Sequence, residues 1–177
     1  MIEDVPHLLK RWRTALLASN GALFVNGSRV EEWLAVARAG TTALTVAMME
    51  GADVQSVRYA RITFSIDVEA ELTRQGSLKA AALCRTVRCW FDAFDRRGIS
   101  ETQRDTDVDR MLTLLLETFG EQWLAHQKEA RKRFSAMPSH VAGLPMATLE
   151  GTVAACAART HLRAVAATDR NVDGTRY

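Results

Sequence analysis

One stretch, from Leu72 to Phe94, constrains the fold more than any other part of the chain. Gly76 suits the left-handed backbone position that closes a helix, and Ser77 can then accept backbone N–H bonds at the start of the next helix. Beyond this turn, large apolar residues recur at spacings of three and four, which places them on one wide face of a helix. These residues are Leu83, Val87, Trp90, Phe91 and Phe94. The pattern predicts a central helix in an all-α fold, with the rest of the chain packed over its apolar face.

The other periodic segments predict a bundle of about five helices with almost no strand. The expected helices cover residues 6–19, 28–51, 53–75 and 77–97, followed by a longest helix that begins near 101 or 105 and ends at 134. In the first helix, Lys10, Arg11 and Arg13 are expected to face solvent. The second half of the longest helix is basic, and it is expected either to project beyond the bundle or to pair with another chain.

The C-terminal part of the chain is expected to add little to the core. Pro138, Gly143 and Pro145 mark a linker. An alanine-rich helix from 146 to 169 follows, but it has no aromatic residue and is expected to be a weak core element. We therefore expect a helical domain over residues 1–134, and a linker, a weak helix and a frayed tail over residues 135–177.

Composition limits the class of protein. The chain has 177 residues, a formal net charge of +2 and three cysteines. A domain of this size can bury a core without metal or disulfide staples. The small net charge argues against a nucleic-acid partner, and the scattered cysteines fit a reducing compartment. Because neither a signal peptide nor a long apolar run is apparent, we expect no membrane association and a cytoplasmic location.

Patterns of catalytic or metal-binding residues are not found in the sequence. The four histidines are far apart, and no serine-hydrolase motif occurs. The acidic run Asp105, Asp107 and Asp109 lacks the glycine and the glutamate of a calcium-binding loop. We therefore expect no catalytic residue, no metal, no cofactor and no enzyme activity.

Two sets of residues are candidates for a binding role. The tryptophans are expected to be core residues, but some of the aromatic side chains could line a ligand cavity between helices. The cavity candidates are Trp33, Trp90, Phe91 and Phe94. The longest helix carries a near-heptad apolar stripe that could form a dimer seam. The seam candidates are Leu115, Phe119, Trp123 and His126.

Several motifs follow one another along the chain: Leu-Leu-Lys-Arg-Trp ending at Trp12, Arg-Gln-Gly ending at Gly76, the segment from Ser77 to Arg85, and Trp90-Phe91. In this order they resemble the RsbRD-type N-terminal sensor domain of RsbR-like stressosome proteins and other bacterial regulators. The resemblance covers Val5 to Phe134. It implies a globin-like bundle without haem that forms a homodimer and passes a signal along its long last helix to a downstream output domain.

The chain departs from that family after the long helix. RsbR-like proteins continue into a sulfate-transporter/anti-sigma-antagonist output domain, and residues 135–177 are too short to form one. No motif matches the phosphorylated threonines of the family. The leading prediction is a dimeric, non-catalytic sensory domain that acts on an output domain or a regulatory protein.

Two alternatives remain open from the residues themselves. The first is a small-molecule-binding helical domain, for which haem or another tetrapyrrole held through His126 or Cys84 is one candidate ligand. The second is a phosphotransfer bundle in which His126 accepts the phosphoryl group, which requires that histidine to be exposed.

Overall fold

The computed structural model describes the backbone of residues 4–19, 22, 24–132, 140–141 and 143–173. It describes the side chains of these residues except those of 121–132, 140–141 and 166–173. Within this part of the chain the fold is an all-α bundle, as predicted. The helices are α1 (Val5–Ala18), α2 (Val30–Ala39), α3 (Val46–Met49), α4 (Val57–Thr63), α5 (Ile66–Arg74), α6 (Leu78–Asp95), α7 (Glu101–Lys132) and α8 (Met146–Asp173). A 3₁₀ turn (Val25–Gly27) precedes α2, and two-residue strands β1 (His140–Val141) and β2 (Leu144–Pro145) pair antiparallel before α8.

The central helix is α6, as the sequence predicts. It packs against α5 on one side and α7 on the other, and it also contacts α1. Leu83, Val87 and Trp90 are fully buried, and Phe94 is half-buried at the edge of the core. One detail of the prediction is wrong, because Ser77 precedes α6 without making a side-chain capping bond.

Two of the predicted helices are each divided in two. The segment expected as a helix over 28–51 breaks at Gly40, whose φ of +65° ends α2 in the left-handed region. The segment expected over 53–75 breaks at Phe64, because Ser65 leaves the helix and its Oγ accepts the N–H of Val68 at 3.3 Å to start α5. The apolar spacing continues across both breaks, so periodicity alone predicts continuous helices there.

Arg13 faces the interior and not the solvent, contrary to the prediction. Its guanidinium group is fully buried and donates to the carbonyl oxygens of Met48 (2.5 Å), Ala52 (3.1 Å) and Asp53 (3.2 Å). The carbonyl of Met48 lies in α3 itself and the other two in the turn after it, where the helix no longer continues to supply N–H groups to them. Burial lowers the pKa of Arg13, while the nearby Asp53 acts in the opposite direction. The side chain thus ties α1 to the end of α3 and the turn after it.

The helix expected to be a weak core element is in fact part of the core, so that prediction is wrong. α8 packs against both α1 and α7. Its buried residues are Met146, Thr148, Leu149, Thr152, Ala155 and Cys156. Mostly small side chains let the helices approach closely, so a lack of aromatic residues does not prevent burial. The indole N–H of Trp12 in α1 donates to Oγ1 of Thr152 at 3.1 Å, in a buried contact that joins the first helix to the last. The expected domain boundary between residues 134 and 135 lies outside the described residues.

Candidate functional site

The two longest helices, α7 and α8, form an antiparallel pair with an apolar groove between them. The groove has a volume of about 340 Å³. Its lining residues are Leu112, Leu115, Leu116, Phe119 and Gly120 from α7, and Leu149, Glu150, Val153 and Ala154 from α8. The direction of the pair follows from its contacts, because Leu149 lies beside Phe119 in the groove while Arg163 pairs with Asp105 at the other end.

The sequence produces this groove through helical spacing and residue size. Apolar residues three and four apart on α7 form one wall, and Leu149 and Val153, four apart, form the other. Gly120 and Ala154 carry little or no side chain, so they leave the space between the walls open. A Cβ atom built on Gly120 would meet no atom within 4 Å. The groove therefore exists because two small residues, Gly120 and Ala154, lie between the large apolar side chains of the two helices.

The electrostatics of the groove are acidic at its mouth. Among the described residues that line it, Glu150 is the one charged side chain, and it is exposed. Glu117, which follows Leu116 in the chain, is exposed as well. The two arginines of α8 whose side chains the structure describes are engaged elsewhere, since Arg159 pairs with Glu101 (2.5 Å) and Arg163 with Asp105 (3.0 Å). A ligand in the groove would meet apolar carbon and a negative rim.

Exposed apolar side chains occur at the groove and further along α8. Leu116, at the groove, is 66% exposed. On α8, Leu162 is 68% and Val165 is 44% exposed. Every residue from Thr160 to Val165 is exposed, so this part of α8 lies outside the core of the protomer although it is still helical.

The four cavity candidates do not meet in one place. Trp33 packs edge-on against Phe64, with ring centroids 6.4 Å apart, and its indole N–H donates to the carbonyl of Thr63 at 3.0 Å. Trp90 packs edge-on against Phe94 at 6.0 Å. Both tryptophans are fully buried, and these contacts are those of a close-packed core.

Phe91 is the cavity candidate that reaches an opening. Its ring helps line a small surface cleft of about 200 Å³ together with the polar residues Arg61, Arg88 and Asp92. The guanidinium group of Arg61 lies 5.3 Å from the centre of the Phe91 ring, and Arg88 pairs with Glu69. The charged groups that line this cleft pair with residues outside it, Arg61 with Asp95, Arg88 with Glu69 and Asp92 with Arg96, so the cleft offers less to a ligand than the groove does.

Two of the dimer-seam candidates line the groove. Leu115 and Phe119 are buried within the protomer and form the floor of the groove, so little of either side chain is exposed to a partner. The side chains of Trp123 and His126 lie outside the described residues, so the roles considered for His126 remain predictions. The α8 half of the groove was missed. The sequence signal for it is the four-residue spacing of Leu149 and Val153, in a helix whose lack of aromatic residues led to the prediction of a weak core element.

Cys84 is poorly placed to bind haem. It is fully buried, and its Sγ lies 3.9 Å from the carbonyl oxygen of Thr63 and 3.6 Å from that of Ser65. Burial raises the pKa of the thiol, and the nearby carboxylate of Glu69 raises it further. The thiolate is the form that binds metals, so this packing opposes ligation by Cys84.

Two further properties concern the described part of the chain. No group of three or more histidine, cysteine or acidic side chains there could hold a metal ion. None of the helices described is both long and apolar enough to cross a membrane.

Comparison of the chain with models of protein families, with curated proteins and with solved structures finds no match.

Proposed function

We propose that the chain is a non-catalytic sensory domain of a bacterial regulator, which acts as a homodimer and relays a signal through α7 and α8 to an output domain or regulatory protein. The observation that carries this proposal is the apolar surface of the α7/α8 pair. The groove, Leu116, Leu162 and Val165 all face solvent in a single protomer. The motif order that resembles RsbRD-type domains supports the same function.

The length of the two helices suits a relay. α7 has 32 residues and α8 has 28, whereas the central helix α6 has 18. At 1.5 Å per residue these correspond to about 48, 42 and 27 Å. Switching proteins commonly use shifts of about 1–2 Å between packed helices, which stiff helices transmit to their ends. A change of packing at the groove would reach the exposed end of α8 in this way.

Exposed apolar side chains on α8 favour a second copy as the partner. Leu162 and Val165 are three residues apart, on neighbouring positions of one helix face, and Ala157 precedes them with little bulk. A two-fold interface presents the same patch from both copies, so an apolar helix surface meets its equivalent. The sequence prediction placed the dimer seam on α7, and this surface adds α8 to it.

The free energy available to such a dimer is modest. Covering the exposed part of Leu162 and Val165 in both copies would contribute about 3–7 kcal/mol. Association costs about 4–15 kcal/mol in lost motion and desolvation. Because the two ranges overlap, loss of one leucine in each copy should be enough to dissociate the dimer.

The test is the mass in solution, measured by light scattering over a wide range of concentration. We expect a dimer for the wild-type chain and a monomer for Leu162→Glu. The matched control is Leu78→Glu, because Leu78 is 65% exposed but starts α6 and lies outside the pair. A wild-type chain that is monomeric at every concentration would refute the proposal. So would equal dissociation by the control.

A further inference from the structure

We infer that the groove between α7 and α8 binds a neutral, apolar small molecule of about two aromatic rings, and that this molecule is the signal. The inference rests on the proposed function, because it names the class of ligand that a sensory domain of this shape would detect. It is carried by the size of the groove, by its lining and by the charge at its mouth.

The size of the groove fits a small ligand. Its volume of about 340 Å³ lies near the lower end of the range for ligand pockets, about 300–1,000 Å³. An engineered apolar cavity of about 150 Å³ binds a single benzene ring. A groove of roughly twice that volume therefore suits two rings and is too small for a tetrapyrrole.

The lining favours an apolar molecule over water. The walls consist of leucine, phenylalanine and valine side chains, which offer no hydrogen bond to a solvent molecule. A water needs about two to four polar partners to be held in a cavity. An apolar ligand would instead remove the exposed carbon of Leu116 and Val153 from water, which is favourable in proportion to the area covered.

The charge at the mouth selects against anions. Glu150 lines the groove, whereas Glu117, which follows Leu116 on α7, is exposed but does not line it. No basic side chain stands among the groove-lining residues that the structure describes. A carboxylate, sulfonate or phosphate on the ligand would lie near the carboxylate of Glu150 and would meet no basic side chain among the lining residues described. Fatty acids and nucleotides are therefore disfavoured, and a neutral ring system is favoured.

Binding would act on the pair of helices directly. The ligand would contact Leu116 and Phe119 on one side and Val153 on the other, so it would stand between α7 and α8 as a wedge. A ligand shifts a conformational equilibrium by the difference in its affinity for the two states. The state with the wider groove would be favoured, and the exposed end of α8 would move with it.

A pair of fluorescent probes tests the inference on the wild-type chain. 1-Naphthylamine is neutral at pH 7, and 1-naphthylamine-5-sulfonate has the same two fused rings with an added sulfonate. We expect the neutral probe to bind at one site per chain and about tenfold or more tightly than the sulfonate, since tenfold corresponds to about 1.4 kcal/mol. Glu150→Lys should narrow that preference. Equal binding of both probes, or no saturable binding of the neutral probe, would overturn the inference.

Two tryptophan substitutions locate the bound probe. Ala154→Trp places a large side chain in the groove, whereas Ala147→Trp adds the same group at an exposed position on α8 that does not line it. We expect the first variant to lose probe binding at least tenfold and the second to retain it. Equal retention by both variants would place the probe elsewhere and refute the assignment.

The same titrations separate this inference from the proposed function. Leu162 does not line the groove, so Leu162→Glu should bind the neutral probe whether or not the wild-type chain is a dimer. A monomeric wild-type chain that binds the probe in the groove would refute the dimer and keep the ligand site. If instead probe affinity falls as protein concentration rises and the dimer forms, a second copy fills the groove and the ligand inference is wrong.

Discussion

Thr152→Val tests directly whether α8 is part of the core. Thr152 is fully buried, and its Oγ1 accepts the indole N–H of Trp12 at 3.1 Å and donates to the carbonyl of Thr148 at 2.7 Å. Valine has nearly the same shape, so the change leaves no cavity and removes only the hydroxyl group. The indole N–H would then be buried without a partner, which costs about 1–3 kcal/mol. We expect the free energy of unfolding to fall by that amount.

The control for this change is Thr160→Val on the same helix. Thr160 is exposed, and its hydroxyl makes the equivalent bond to the carbonyl of Cys156 at 3.1 Å, without a partner from another helix in the described structure. This change should stay within about 0.5 kcal/mol of the wild type. Both variants can be measured by urea denaturation, with tryptophan fluorescence and circular dichroism as separate probes.

A double-mutant cycle with Trp12→Phe isolates the contact itself. If the bond between Trp12 and Thr152 carries the effect, Thr152→Val should cost less than about 0.5 kcal/mol once the indole N–H has been removed. An equal cost in both backgrounds would mean that Thr152 acts through something other than Trp12. A wild-type-like stability for Thr152→Val alone would refute the conclusion that α8 closes the core over α1.

Two other predictions concern the loss of stability at low pH and the effect of substituting two glycines. The carboxylate of Glu71 accepts N–H bonds from Arg74 (2.7 and 2.5 Å) and Gln75 (2.7 Å), which lower its pKa from 4.5 to about 2. Because the pKa is lower in the folded state, this stabilisation is complete above about pH 4.5 and is lost as the pH falls towards 2. Glu71→Gln should therefore flatten the pH dependence of urea unfolding over that interval, and an unchanged slope would contradict the assignment. Gly76→Ala should lower the free energy of unfolding by about 1 kcal/mol, because φ is +80° there. Gly120→Ala should instead stabilise α7 by about 0.5–1 kcal/mol, because the added methyl group meets no atom within 4 Å and alanine favours a helix. Thermal denaturation measures both effects, and equal effects at the two positions would argue against this explanation.

The central helix and the fold class could be predicted because their signal is periodic. Leu83, Val87 and Trp90 repeat at the helical spacing and are all buried, so the pattern and the packing agree. The breaks at Gly40 and Ser65 could not be predicted from the same pattern. A glycine in the left-handed region and a serine that caps a new helix act locally, and they leave the spacing of the apolar residues undisturbed.

Only the α7 wall of the groove could be predicted, and the reason differs from that for the helix breaks. Leu115 and Phe119 stood out because they are large and periodic. The opposite wall and the opening depend on Val153, Ala154 and Gly120, which are small and do not stand out in a sequence. A groove is formed where bulk is missing between two helices, and such an absence becomes visible only when the helices are placed side by side. Similarly, the burial of Arg13 depends on the carbonyl groups of a turn that lies far along the chain.

The contact between Trp12 and Thr152 also has a consequence for synthesis of the chain. The two residues are 140 positions apart. At about 5–20 residues per second, a ribosome would need roughly 7–28 s to progress from one to the other. During that interval α1 has no α8 to cover it, and the apolar side of the first helix must be shielded by other helices or by a chaperone. The step that completes this bundle is thus the emergence of its last helix, and a nascent chain stalled before Thr152 should be a preferred substrate for chaperones and proteases.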